Sequence, residues 1–236
     1  MLLFYVRHGD PCYNPDSLTP LGHRQAEAIG RRLARYGVDE IYASTMVRAT
    51  QTAMPTAELL KKEIRPVEFA REDRAWDMLS LVSADGRRRW VFSDSDTKKL
   101  FATPEVRALG AEWYNHPAFE GTTYRAGVER IERETDAWLA SLGWEHAGRD
   151  GFYRHTFAGP QRVALFAHQG FGTFFLSHIL GMSYPQFSVT FDISHTSLTV
   201  IEFDETQDVC IPCVYTMAND AHLYREDLPI YTRPVF

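Results

Sequence analysis

Arg7, His8, Arg48 and His168 are the residues whose types suit one chemistry, the handling of a phosphoryl group. Such a group presents three oxygens that stay negative throughout transfer, so its site needs planar cations able to bond two oxygens at once. Arg7 and Arg48 meet that need. The nucleophile must be unprotonated near pH 7 yet able to hold the group briefly. A neutral histidine, with a reference pKa of about 6.5, does both. His8 is the candidate. Gly9 beside it lets the backbone turn tightly and bring a ring nitrogen and main-chain donors toward the phosphate. His168, with Gly170 two places on, is expected to donate a hydrogen bond to the transferring oxygens. An alkoxide leaving group also needs a proton donor, usually a carboxyl in a partly desolvated pocket. Glu72, ahead of Trp76, is the candidate acid, with Asp77 and Glu120 as competitors.

The elements that must position these residues are legible in the hydrophobic pattern. Residues 2 to 6 are an unbroken apolar run, as in a parallel strand covered on both faces, and they lead directly into Arg7-His8-Gly9. After a loop rich in Pro, Asn and Asp, Thr19-Pro20 supplies an N-cap and a first-turn proline for a helix ending at Tyr36-Gly37. Leu21, Ile29, Leu33 and Tyr36 line one face of it. Asp39 to Ala43 reads as a strand, and Ser44-Thr45 as the cap of a helix carrying Arg48 in its first turn, kinked or ended by Pro55. Backbone N–H groups at such a helix start add positive partial charge for an anion.

Ile64 to Phe69 is a further strand candidate, and residues 76 to 160 read as a mostly helical insertion without clear strands. Its best helix runs from Thr122 to Leu142, with Val128, Ile131, Trp138 and Leu142 at helical spacing before Gly143. Arg162 to Ala167 is an apolar strand leading into His168, Gly170 to Leu180 a helix, and Thr196 to Phe203 an alternating strand. Strands alternating with helices predict an α/β sheet with helices on both faces and its site beyond the strands' carboxyl ends.

The composition fits one ordinary domain: 236 residues are enough for a sizeable core, and 44% hydrophobic with 24% charged residues is unlike a disordered chain. A net charge of −6 gives no long-range attraction to nucleic acid or an anionic membrane, so phosphate affinity must be local. Neither partner is expected. No apolar stretch approaches the length of a membrane span, and no secretory signal is read at the N-terminus, so a cytoplasmic protein is the expectation. Three cysteines cannot form a disulfide framework, and Cys210-x-x-Cys213 stands alone, so both are read as reduced packing or surface residues. The nine histidines show none of the local spacings with carboxylates that metal hydrolases use, so no metal site is expected.

Taken together the blocks resemble the histidine phosphatases, the phosphoglycerate-mutase-like superfamily. The resemblance lies in Arg7-His8-Gly9, Leu18-Thr19-Pro20-Leu21-Gly22 with Gln25-Ala26, Ser44 through Arg48-Ala49 to Gln51-Thr52-Ala53, and His168-x-Gly170. It covers residues 1 to 75 and 160 to 205, about half of the chain. It implies a three-layer α/β/α domain over residues 1–236 with a mostly parallel central sheet, residues 76–160 forming a helical cap. It also implies a phosphohistidine on His8, phosphoryl binding by Arg7, Arg48 and His168, and no metal or nucleotide cofactor. The chain departs from the family pattern at Asp10-Pro11, where many members carry Glu followed by Thr or Ser. It departs again in Arg71 to Asp77, which lacks the Gly and the Glu after Trp found in the family stretch that holds the acid.

Plainer readings compete at each position. A single histidine at a strand end is usually structural, but two, each near a Gly and joined by two arginines, favour the site. Gln51 and Thr52 read as packing or capping groups, and His195 as a structural hydrogen-bonding residue. The expected activity is metal-independent hydrolysis of a small phosphomonoester. Transfer to a second hydroxyl, as in a mutase, and a non-catalytic phospho-ligand-binding module are the alternatives.

Overall fold

The computed structural model describes residues 1–148 and 151–230, so residues 149–150 of the expected insertion lie outside the described part. The chain begins β1 (Leu2–Arg7), β2 (Pro11–Tyr13), β3 (Asp16–Leu18), α1 (Pro20–Tyr36), β4 (Glu40–Ser44), α2 (Val47–Leu60) and β5 (Ile64–Val67). There follow α3 (Glu72–Leu79), β6 (Ser80–Val82), β7 (Arg88–Trp90), α4 (Ser95–Phe101), α5 (Pro104–Ala108) and α6 (Tyr124–Ser141). Then come β8 (Trp144–His146), β9 (Tyr153–His155), β10 (Arg162–Ala167), α7 (Gln169–Ile179), α8 (Tyr184–Thr190), β11 (Leu198–Glu202), β12 (Cys213–Asn219) and α9 (Ala221–Arg225).

The central sheet has the order β12-β11-β1-β10-β4-β5. The pairings β1–β10, β10–β4 and β4–β5 are parallel, while β11 runs antiparallel to β1 and to β12. Alternate residues of β1 enter different cores, as the two-residue period of a strand requires. Phe4 and Val6 pack with Ile29 and Leu33 of α1 and Ala53 and Ala57 of α2. Leu3 and Tyr5 pack on the other face with Trp138 of α6, Phe171 and Phe175 of α7 and Phe187 of α8. Each fully buried aromatic or aliphatic side chain contributes about 1.5–3 kcal/mol. Burial on both faces is why β1 shows no polar alternation. The result is a three-layer α/β/α arrangement.

Thr19 caps α1 as its sequence suggests, its hydroxyl accepting from Gly22 N at 3.1 Å. Other expectations are corrected. Of the two outcomes open for Pro55, a kink or an end, the end is ruled out, since α2 continues to Leu60 with the proline inside it. Gly30 of α1 makes room for the ring: a Cβ there would stand 3.0 Å from Pro55 Cβ. Ser44-Thr45 is not the cap of α2. Asp16, distant in sequence, accepts from Val47 N at 2.8 Å instead. On α1, Leu21 joins a separate cluster with Ala28, Leu223 and Leu228, whereas Tyr36, 38% exposed, does keep to the Ile29–Leu33 face, its ring 5.0 Å from that of Phe4. The segment 76–160 does contain strands, the hairpins β6–β7 and β8–β9, whose three-residue strands are too short to show a two-residue period. In β11 the polar position Thr199 does not face water either, although Glu202 is partly exposed. Thr199 is fully buried, and its hydroxyl accepts from Ala218 N at 3.0 Å beside the neighbouring strand β12.

Candidate active site

Strand register brings the two histidines together. β1 and β10 pair in parallel with Arg7 opposite Ala167, so the next residues, His8 and His168, leave adjacent strand ends side by side. His8 N donates to Ala167 O at 2.9 Å, and the two imidazole centroids stand 5.2 Å apart. Both rings are buried, at 1% and 0% exposure.

The tautomer of His8 follows from its neighbour. Its Nδ1 lies 2.7 Å from Gly9 O, and a carbonyl can only accept, so Nδ1 carries the proton and Nε2 keeps its lone pair. Burial, then the charges of His168, Arg7 and Arg48, push the pKa of His8 well below the ordinary 6.5. The ring is therefore neutral at pH 7. His168 is pushed the same way by burial and then by Arg48, Arg7 and Arg71. Its Nε2 is held by Ser44 Oγ at 2.8 Å, while Nδ1 has no hydrogen bond and lies 3.6 Å from Glu72 Oε2. Tyr5 OH fixes the backbone by donating to His168 O at 2.5 Å.

Arg7 and Arg48 are held by different sets of partners. Arg7 Nη1 donates to Ile193 O at 2.6 Å, and Nη2 lies 3.0 Å from His195 Nε2. A guanidinium cannot accept, so His195 Nε2 is the acceptor and its Nδ1, which bears the proton, faces Asp10 Oδ1 at 3.6 Å. Burial and then the Arg7 charge lower His195 to about 4. Arg48 lies between two carboxylates, with Nη1 2.8 Å from Asp16 Oδ1 and Nη2 3.0 Å from Glu72 Oε2. The guanidinium lies beneath the ring of Tyr13, 5.4 Å from its centroid.

Glu72 begins α3, and its other oxygen, Oε1, accepts from Gly170 N at 2.7 Å at the start of α7. One turn further along α3, Trp76 packs edge-on against Trp90, whose ring covers Gly170 so closely that a Cβ would meet it at 2.3 Å. Hence Glu72 joins Arg7, His8, Arg48 and His168 in one buried group. Its competitors do not. Asp77 is 74% exposed and faces Arg88, and Glu120 lies exposed on a separate cavity with Tyr114 and Arg125.

The expectation that the Gly9 N–H faces the phosphate is corrected, because that donor is committed to Thr52 Oγ1 at 3.0 Å. What Gly9 provides is space: a Cβ there would stand 2.7 Å from Gly22 O. Gln25 and Gln51 hold the same loop by accepting from Asp10 N at 2.8 Å and Leu18 N at 2.7 Å. Sequence reading did not find Asp10 and Asp16 and set His195 aside as structural. Asp10 carried one local signal, its place in the loop just after Arg7, while Asp16 and His195 carried none, since Arg48 and Arg7 lie far from them in the chain. Among the described residues, His8, Glu72 and His168 also bring ligand-type atoms within 4.8 Å of one another, as do Asp136, His146 and His178. No spacing rule could show either trio, since each draws on three separate elements. Cys210 is buried, its Sγ accepting from Asp204 N at 3.1 Å, and Cys213 is exposed. No helix among the described residues is long and apolar enough to cross a membrane.

Comparison with known proteins gives consistent matches. The family model described as Histidine phosphatase superfamily (branch 1) matches residues 3–212. A relative from Hydrogenobacter thermophilus, whose name includes "phosphoserine phosphatase 2", is 25% identical over 153 residues, covering 61% of this chain and 68% of that protein. A Caenorhabditis elegans serine/threonine-protein phosphatase, Pgam5, is 47% identical over 57 residues, which span 22% of this chain and only 19% of that protein. A mycobacterial glucosyl-3-phosphoglycerate phosphatase, solved with inorganic phosphate, superposes with a TM-score of 0.59 at 19% identity, covering 94% of this chain and 98% of that one.

Proposed function

The chain belongs to the histidine phosphatase superfamily, and on that premise we propose that it hydrolyses small phosphomonoesters through a phosphohistidine on His8, without a metal. The observation that carries this reading is the bond from His8 Nδ1 to Gly9 O, which leaves a neutral, unprotonated Nε2 at the centre of the cationic group.

In this mechanism the phosphoryl oxygens take the Nη groups of Arg7 and Arg48, and His8 Nε2 attacks phosphorus in line. His168 accepts the Ser44 hydroxyl proton at Nε2 as a hydrogen bond and donates Nδ1–H to a transferring oxygen, stabilising charge that a static dipole is already aimed at. Glu72, 3.6 Å from that nitrogen, takes up a proton as the phosphate displaces it from Arg48, passes it to the departing alkoxide and then takes a proton from the water that attacks phospho-His8. A carboxylate at this position supports the catalytic reading over a phosphate-binding module. Residues 76–160 act as a cap: Trp76 and Trp90, with Arg88 lying 5.4 Å from the Trp76 ring centroid, receive the non-phosphate part of the substrate.

The test uses purified protein in EDTA with an aryl phosphate and with phosphorylated small alcohols, comparing wild type with His8→Ala. Turnover that persists in EDTA and disappears in His8→Ala is expected. Activity that requires a divalent ion, or survives in His8→Ala, contradicts the reading.

A further inference from the structure

Outside the phosphate site, α6, β8 and α7 each contribute one ligand-type side chain to a second group, Asp136, His146 and His178. His178 Nε2 lies 2.7 Å from Asp136 Oδ1, and His146 Nδ1 lies 3.3 Å from Asp136 Oδ2. The two rings meet edge to face with centroids 5.3 Å apart. We propose that Asp136, His146 and His178 form a binding site for a zinc-class divalent cation that staples α6 and β8 to α7.

The donor set is the first argument. Two imidazoles and a carboxylate are the ligands that zinc and its neighbours prefer, whereas calcium and magnesium take all-oxygen shells. Spacing is the second. With metal–ligand bonds of about 2.0–2.1 Å, adjacent ligands of a tetrahedron stand about 3.3 Å apart. The His146–Asp136 separation of 3.3 Å matches that edge, and the His178–Asp136 separation of 2.7 Å is a hydrogen bond that an ion would open by about half an ångström, with all three ligand atoms already within 4.8 Å of one another. Orientation is the third. His146 is stacked on Tyr153 with centroids 5.0 Å apart and planes at 12°, and its Nε2 is buried without a hydrogen bond. Glu132, one helical turn before Asp136, places Oε1 3.9 Å from His178 Nδ1, the outer carboxylate position that orients a ligating imidazole. The fourth argument is charge. The group opens on a cavity of about 760 Å³ walled by Glu112, Glu129, Glu132 and Asp136 against Arg133, which favours a dication over an anion.

Because the ligands come from α6, β8 and α7, an ion here would tie the end of α6 and the β8–β9 hairpin to α7. It would act on stability rather than on the chemical step.

The test is made in a His8→Ala background, so that the trio in the phosphate site cannot account for metal uptake. Protein stripped with EDTA is titrated with zinc by calorimetry and with cobalt by visible absorption. One equivalent is expected to bind, with the intense bands of tetrahedral cobalt. At a hundredfold excess of zinc over Kd, the Tm should rise by roughly 5–10 °C, and magnesium should have no such effect. Adding Asp136→Asn or His178→Gln should remove that equivalent. Glu132→Gln, a conservative change at a half-buried position on the cavity wall, should weaken it about 10- to 100-fold. No saturable uptake in the His8→Ala protein, or uptake unchanged by both Asp136→Asn and Glu132→Gln, would overturn the proposal. Neither result bears on the phosphatase reading, since no step of the assay measures turnover.

Discussion

Glu72 Oε2 lies 3.0 Å from Arg48 Nη2, and both side chains are largely shielded from water. A phosphate that takes over the guanidinium therefore displaces a carboxylate, which is left beside the substrate's negative charge and the leaving oxygen. Glu72→Gln keeps the shape and removes the transferable proton. It should lower kcat for an alkyl phosphate by about 10²- to 10⁴-fold and leave an aryl phosphate, with its better leaving group, nearly unaffected. An equal loss on both substrates would reassign Glu72 to binding alone.

Asp16 joins two tasks, since one oxygen caps α2 at Val47 N and the other holds Arg48. Asp16→Ala should cost about 0.5–2 kcal/mol through the lost cap, a fall in Tm of roughly 1–8 °C. It should also raise KM more than it lowers kcat, because Arg48 is then held by Glu72 alone. A normal KM in the folded variant would mean that Asp16 does not position Arg48 for the substrate.

Gly9→Ala tests the close approach of two backbones. Its Cβ would stand 2.7 Å from Gly22 O, where no flexible side chain can move aside. A destabilisation of about 1–3 kcal/mol is expected by denaturant titration, together with loss of activity as His8 shifts. Full activity and stability would show that the loop relaxes freely.

Acid should destabilise the protein in a defined window. A histidine whose folded pKa is lowered binds fewer protons folded than unfolded between the two values, so stability is lost as pH falls through that interval. For His195 and His222, both lowered to about 4, the window runs from about 6.5 down to about 4. His222 is lowered by burial and then by Arg32, and lies outside the phosphate group. His222→Gln should narrow the difference in urea midpoint between pH 7 and pH 5, and an unchanged difference would exclude it. The acid limb of kcat/KM set by His8 should fall below pH 6.5.

What the sequence disclosed depended on how local the signal was. Thr19-Pro20 and the strands ending at His8 and His168 were readable because a cap or an apolar run needs only a few consecutive residues. The convergence of Arg7, His8, Arg48 and His168 followed from strand ends sharing one edge. Asp16 and His195 were not legible as partners, because their roles come from contacts 32 and 188 residues away in the chain. The hairpin strands β6 to β9 were lost for the opposite reason, being too short to carry a period, and the pairing of β12 with β11 had no pattern of its own to announce it.

The phosphoenzyme tests the central claim most directly. Wild-type protein mixed with substrate and quenched in base, where a phosphohistidine survives, should carry one phosphoryl group, assigned by peptide mass spectrometry to His8 and by phosphorus NMR to Nε2. A phosphoryl group on any other residue or on Nδ1, or turnover in His8→Ala with no trapped intermediate, would contradict the account.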